Sequence, residues 1–259
     1  MAWTRRYEDP EPQRVNKWLA QSGVCSRREA EGLIAQGLVF IDGERVDDAG
    51  RKILPGQTLV LNDSAQQKLD SSLSVVLHKP MGIVSSLPQG DQVEALTLLT
   101  RQALWGDEEA IIPTAAANLA PLGRLDRESR GLLVLSQDGV LAKALIGPES
   151  AIDKEYNVLL TGAITPKKIA LLRHGLELDG RKLRPAKVTQ VGEQKLNIVL
   201  QEGRNRQIRR MAELVELRVV DLMRVRVGPL KLGDLPEGRW RPLTAEERAA
   251  LIAASKGQG

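Results

Sequence analysis

Cysteine is almost missing from this chain: Cys25 stands alone among 259 residues, so no intramolecular disulfide can form and a thiolate-based metal site is excluded. Histidine is nearly as scarce. His78 and His174 lie too far apart in sequence to form a ligand pattern, which argues against a metal centre. Aromatic residues make up only 3%, so leucine, valine, isoleucine and alanine must fill the interior. No apolar run approaches the roughly 20 residues that cross a bilayer, and the charged start MAWTRRYEDPEPQ has no apolar stretch behind it, so neither a membrane span nor a secretory signal is expected. What is present is an ordinary globular balance, 42% hydrophobic and 27% charged, with a net charge of +4. The length predicts two domains and the mild basicity is compatible with a polyanionic partner.

Taken in order, residues 1–12 are polar, carry Pro10 and Pro12, and read as a disordered arm. Helical spacing begins with Val15, Trp18 and Leu19 and stops at Gly23. Ser26 with Glu29 forms a capping-box pattern for a second helix, which buries Ala30, Leu33 and Ile34. Leu38–Ile41, the turn Asp42-Gly43 and Arg45-Val46 signal a hairpin, and residues 58–61 one more strand. Residues 63–72 read as a flexible linker. A second domain over 73–254 opens with a strand at Val75–Leu77; Pro80 then demands a turn or an edge, and His78 is expected to be packed or solvated. A helix is expected near Val93–Trp105, followed by an Ala-rich connection. Further strands and helices alternate to the end, with Asp179-Gly180 as a hairpin turn and residues 255–259 disordered. The pattern predicts an α+β fold: a small helix-helix-hairpin module, then a mixed, mainly antiparallel sheet with flanking helices.

The stretch PLGRLDRESRGLLVLSQDG, residues 121–139, organises the second domain. Asp126 sits where a charged loop meets the apolar run Leu132–Leu135, so a rigid strand can hold its carboxylate, and Arg124, Arg127 and Arg130 crowd around it. Further on, Arg204, Arg206, Arg209 and Arg210 make a dense basic run at an expected helix start, a favourable place for anions.

Residues 13–62, RVNKWLAQSGVCSRREAEGLIAQGLVFIDGERV and onward, resemble the RNA-binding module named after small-subunit ribosomal protein four. The resemblance implies that Arg14, Lys17, Arg27 and Arg28 face an RNA backbone, through a local patch, because residues 1–70 are not basic overall. KPMG, GRLDRESRGLLVLSQDG, KEYNV and EGRNRQIRRM follow in that order. With the module in front, the chain is similar over residues 13–246 to the ribosomal-RNA pseudouridine synthases of the RsuA family. Within it, KPMGIVSS and RNRQIRRM are most similar to the large-subunit synthase F branch.

The resemblance implies a catalytic Asp126, a base-stacking Tyr156 and an Arg209 that pairs with the aspartate. It also gives Arg124 a place in the vacated base stack or on the neighbouring backbone, Arg204, Arg206 and Arg210 phosphate contacts, Leu133 and Ile208 the apolar wall of a uracil pocket, and Lys79 and Gly82 a structural or backbone-binding part. The isomerisation breaks a carbon–nitrogen bond, turns the base and forms a carbon–carbon bond to the same sugar. Nothing is oxidised and no group arrives from outside, so no cofactor is expected. One carboxylate beside the sugar is needed; a free aspartate, with a pKa of about 3.9, is ionised near neutrality, and an adjacent arginine favours that form. The base must leave the stack at a cost of about a few kcal/mol. The expected partner is ribosomal RNA, chiefly of the large subunit, free or in an assembling particle. The expected protein is a cytoplasmic monomer off the membrane. Two rivals remain at this point: a non-catalytic RNA-binding or ribosome-assembly protein, and an enzyme acting on transfer RNA.

Overall fold

The computed structural model describes residues 3–106, 109–114 and 117–255. It divides into two compact units, Met1–Leu73 with Ser136–Lys143, and Ser74–Leu135 with Ala144–Gly259.

In the first unit the elements run β1 (Trp3–Arg6), β2 (Gln13–Arg14), α1 (Val15–Gln21), α2 (Arg27–Ala35), β3 (Val39–Ile41), β4 (Glu44–Arg45), β5 (Lys52–Ile53), β6 (Thr58–Leu61) and α3 (Asp63–Asp70). The helix pair forms as the apolar spacing predicts: Val15, Trp18 and Leu19 of α1 and Ala30, Leu33 and Ile34 of α2 are buried in one cluster. The capping box is complete, with the Glu29 amide donating to Ser26 Oγ at 3.2 Å and the Ser26 amide to the Glu29 carboxylate at 2.6 Å. A four-stranded antiparallel sheet in the order β1-β6-β3-β4 covers them.

Two expectations fail here. The segment read as a disordered arm begins with β1, in register with β6 from Trp3 opposite Leu61 to Arg6 opposite Thr58. Its anchors are aromatic: Trp3 and Tyr7 both pack edge-on against Trp18, at 5.9 and 5.3 Å between ring centroids, and Tyr7 is buried. Three rings in T-shaped contact offset the polar composition that suggested disorder. The segment read as a linker is α3, which Asn62 caps by accepting from the Ala65 amide at 2.9 Å while Ala65 is fully buried.

The remaining elements are β7 (Ser74–Lys79), β8 (Ala120–Pro121), β9 (Arg130–Ser136), α4 (Gly139–Ile146), β10 (Lys154–Thr161), α5 (Pro166–Arg173), β11 (Glu177–Leu178), β12 (Arg181–Lys182), β13 (Lys187–Gly192), β14 (Lys195–Leu200), α6 (Gln207–Leu214), β15 (Arg218–Val227), β16 (Leu230–Lys231), β17 (Trp240–Pro242) and α7 (Ala245–Ser255); all belong to the second unit except Ser136 and the Gly139–Lys143 part of α4, which fall in the first. The main sheet has the order β13-β14-β10-β15-β9-β7-β17, with β16 beside β15 and β8 beside β9. It is mixed, as expected: β9 and β15 run parallel, whereas β13–β14, β10–β14, β10–β15 and β7–β17 are antiparallel. β9 is buried from Gly131 to Ser136 because it lies inside the sheet, which explains its continuous apolar run.

Gly131 is required where it stands. Its φ is +108°, and a Cβ there would lie 2.3 Å from the Arg224 carbonyl oxygen on the parallel neighbour β15. The helix expected near Val93–Trp105 is reduced to one 3-10 turn, Ala95–Leu98. The flanking backbone instead bridges to other strands, Val84 with Glu94 and Leu104 with Trp240. Part of the Ala-rich connection, residues 115–116, and the tail 256–259 lie outside the described residues.

Candidate active site

The loop between β8 and β9 carries Asp126, and the segment that follows β7, through Gly82 and Ser85, holds that loop on several atoms. Gly82, with φ +83°, donates its amide to the Arg127 carbonyl at 2.8 Å, and Arg127 Nε returns a bond to the Gly82 carbonyl at 3.1 Å. Buried Ser85 accepts from the Leu125 amide at 2.9 Å and donates to the Leu125 carbonyl at 2.7 Å. The Asp126 carbonyl accepts from the Ser129 amide at 3.0 Å. The backbone on both sides of Asp126 is thus fixed by hydrogen bonds, while its side chain is half-buried and makes none among the described residues. Ser85 was not singled out in the sequence; a lone serine in a loop carries no signal of such a brace.

Lys79 is the buried cation near this carboxylate. It is fully buried and donates to the carbonyls of Pro80 and Ile83 at 2.8 and 2.7 Å. Burial pushes its ammonium down to about 8, against the opposing pull of the Asp126 charge; Arg224 pushes the same way as burial. His78, one residue earlier, is packed, with Nδ1 2.8 Å from the Leu235 carbonyl.

A cavity of about 450 Å³ opens over one face of the sheet in this unit. Its floor comes from β10 and β15. Tyr156 lies opposite Arg224 in the antiparallel register, so the two share a face, and Lys154 precedes Tyr156 by two residues on that same face. The Asp126 loop forms one rim and the 201–209 turn leading into α6 another. Arg224 is almost fully buried; Nε donates to the Leu132 carbonyl at 2.7 Å and Nη2 to the Gly123 carbonyl at 2.9 Å, tying β15 to the Asp126 loop. Asp126, Tyr156, Arg209, Arg124 and Ile208 all line this cavity, and so these five sequence-predicted residues come together there.

Other assignments change. Arg209 does not pair with Asp126. Its Nη2 donates to the Glu128 carbonyl at 2.7 Å and lies 3.4 Å from Ser129 Oγ, and the carboxylate it approaches is that of Glu128, at 3.8 Å. The atom that approaches it, Nε, is buried and makes no hydrogen bond among the described residues. The reason is geometric: α6 aims the guanidinium at the backbone two residues beyond Asp126. Arg127 and Arg130 do not pair with Asp126 either; Arg130 meets Asp221 at 2.8 Å and Glu237 at 3.2 Å. Leu133 is fully buried and does not line the cavity, because it lies inside the continuous core run of β9.

The basic run before α6 is engaged within the protein. Arg204 donates to the carbonyls of Leu178, Arg181 and Lys182 at 3.0, 3.2 and 2.8 Å and pairs with Glu202, so it clamps the β11–β12 hairpin. Arg206, left-handed with φ +49°, pairs with Glu128 at 2.9 Å, and Arg210 chelates Asp179 at 3.0 and 2.6 Å. Those last two pairs are exposed and weak enough to open for a competing anion. In the first unit Arg14, Lys17, Arg27 and Arg28 are exposed, with no ion pair among the described residues. No group of three or more potential metal ligands occurs among the described residues.

A model of the RNA pseudouridylate synthase family matches residues 74–214, the span that contains this cavity's rims and β10 floor, and an S4 domain model matches residues 13–59. The chain belongs to the RNA pseudouridylate synthase family. A dual-specificity RNA pseudouridine synthase, RluF, from Salmonella typhi is 32% identical over 94% of this chain and 80% of its own length. An RNA pseudouridine synthase of Aquifex aeolicus is likewise 32% identical, over 93% and 94%. A solved pseudouridylate synthase superposes with a TM-score of 0.63 at 26% identity, covering 92% of this chain and 99% of that one. The S4 domain ahead of the synthase domain is the RsuA-type arrangement. This synthase is an isomerase whose substrate is uridine in RNA.

Proposed function

We propose that this pseudouridine synthase modifies ribosomal RNA of the large subunit and that Asp126 carries the chemistry. The observation that supports the role is a carboxylate on a fully braced backbone, side chain unpaired, at the rim of a cavity whose floor presents Tyr156. A free carboxylate beside the ribose can attack or stabilise the sugar carbon as the glycosidic bond breaks. Tyr156 stacks on the uracil, which stays in the cavity while it turns, and Ile208 closes the apolar side. The new bond joins the sugar carbon to C5 of the base, and the C5 hydrogen then leaves as a proton. No electron acceptor is needed.

Arg209 acts on this reading through the loop and not through an ion pair. It holds the Glu128 carbonyl and lies against the Ser129 hydroxyl, which keeps the turn after Asp126 in place. Arg124, exposed at the rim, takes the place of the extruded base, a step that costs the RNA about a few kcal/mol. Arg14, Lys17, Arg27 and Arg28 contact phosphates from the S4 domain, and Arg206 and Arg210 do so after releasing Glu128 and Asp179. The protein acts as a cytoplasmic monomer, on free or assembling ribosomal RNA. Pseudouridine mapping of total RNA from cells with and without the protein tests the target. A large-subunit site that disappears with the protein supports it, and a transfer-RNA site alone, or no site, overturns it.

A further inference from the structure

Two cations at the cavity floor, Lys154 and Arg224, pair with no carboxylate among the described residues. At Gly123, whose φ is +89°, a Cβ would lie 3.8 Å from Lys154 Cε and 3.9 Å from Arg224 Nη1. Both side chains therefore approach the same patch of bare backbone, three residues before Asp126. Arg224 uses Nε and Nη2 on carbonyls, while its Nη1 and the Lys154 amine make no hydrogen bond among the described residues. The acidic neighbour that favours the Lys154 ammonium, Asp153, is already chelated by Arg226 at 2.8 and 3.1 Å. Burial pushes the Lys154 amine down to about 8, and the Arg224 charge pushes it the same way. Like charges held together in a partly desolvated wall are unfavourable until an anion arrives.

We propose that Lys154 and Arg224 seat a phosphate of the extruded nucleotide, so that its ribose is fixed relative to Asp126; this rests on the reading of the cavity as the nucleotide site. Lys154 is thus a positioning residue, a point charge on a flexible stem beside the fixed fork of Arg224. The arrangement explains why a lysine stands on the sheet face next to Tyr156, where an apolar residue would pack at lower cost.

The test reads Lys154 directly on the full chain. Acetic anhydride labels the amine and mass spectrometry follows the rate, with inorganic phosphate, uridine 5′-monophosphate, uridine or sodium chloride added at matched ionic strength. An anion present at twice its dissociation constant slows labelling about threefold. The monophosphate and phosphate are expected to protect, and uridine and chloride to leave the rate unchanged. Protection by uridine equal to that of the monophosphate, or none by either phosphate, overturns the proposal. No turnover is involved, so the result stands apart from the fate of Asp126. On a large-subunit ribosomal RNA transcript, Lys154→Gln is expected to raise KM about tenfold, reduce the salt slope by about 1 and lower kcat as well through the misplaced ribose, with Lys154→Arg restoring most of the loss. A fall in kcat at unchanged KM and salt slope would overturn it in favour of a proton-transfer role.

Discussion

Replacing Lys79 with methionine should change how the stability of this synthase depends on pH. Lys79 is fully buried and its folded pKa is pushed from 10.5 to about 8, chiefly by burial. The sign follows from linkage: between those two values the unfolded chain binds a proton that the folded one does not, so stability rises with pH there. Below about 8 both states are protonated, the penalty is fully present, and the contribution is flat. Integrating a shift from 10.5 to about 8 gives a gain of roughly 2 kcal/mol for the wild type between about pH 7 and about pH 9.5. Lys79→Met removes that gain. It also leaves the Pro80 and Ile83 carbonyls without a donor, at a cost of about 1–3 kcal/mol each. That cost is independent of pH and moves the whole curve without changing its slope. Lys154 titrates alike in both proteins and cancels in the comparison. Urea unfolding of the full chain, followed by circular dichroism at the two pH values, reads the difference. Parallel curves for wild type and variant would refute a depressed buried ammonium at this position.

Gly131→Ala should destabilise the second unit by roughly 2–4 kcal/mol, through the left-handed φ and a Cβ driven into the Arg224 backbone, and thermal unfolding measures it. Arg209→Ala removes the donor that holds the Glu128 carbonyl beside Asp126, and kcat should fall about 100-fold through misplacement of the loop; normal kcat on a ribosomal RNA transcript would contradict that. Arg204→Met takes away three carbonyl bonds and an ion pair from the β11–β12 hairpin, so amides of residues 177–182 should exchange faster while β10 is unchanged.

Much of the fold was legible because its signals are local. The capping box at Ser26 and the Asp42-Gly43 and Asp179-Gly180 turns, with Asp42 and Asp179 left-handed as such turns need, were readable from a few adjacent residues. β1 and α3 were missed because their anchors are distant: Trp18 for Trp3 and Tyr7, and a buried core for Ala65. The candidate site divides in the same way. Asp126, Tyr156 and Ile208 line the cavity as the motifs suggested. The partners of the arginines were not legible, because each is chosen by tertiary geometry: Arg209 meets a carbonyl, Arg204 a hairpin and Arg210 an aspartate 31 residues away. Lys154, although it opens the KEYNV motif, and Arg224 were given no role either, since only the register of β10 on β15 brings them to one face.

Release of tritium from RNA labelled at C5 of uridine reports on the chemistry assigned to Asp126, because the proposed reaction expels that hydrogen. With purified wild-type protein and an unmodified large-subunit ribosomal RNA transcript, tritium should appear in water in step with pseudouridine. Asp126→Asn keeps the volume and the braced backbone and removes only the charge, so it should bind the transcript with nearly unchanged affinity and release no tritium. Tritium release by Asp126→Asn at a rate near that of the wild type would contradict the account and move the chemistry to another group in the cavity.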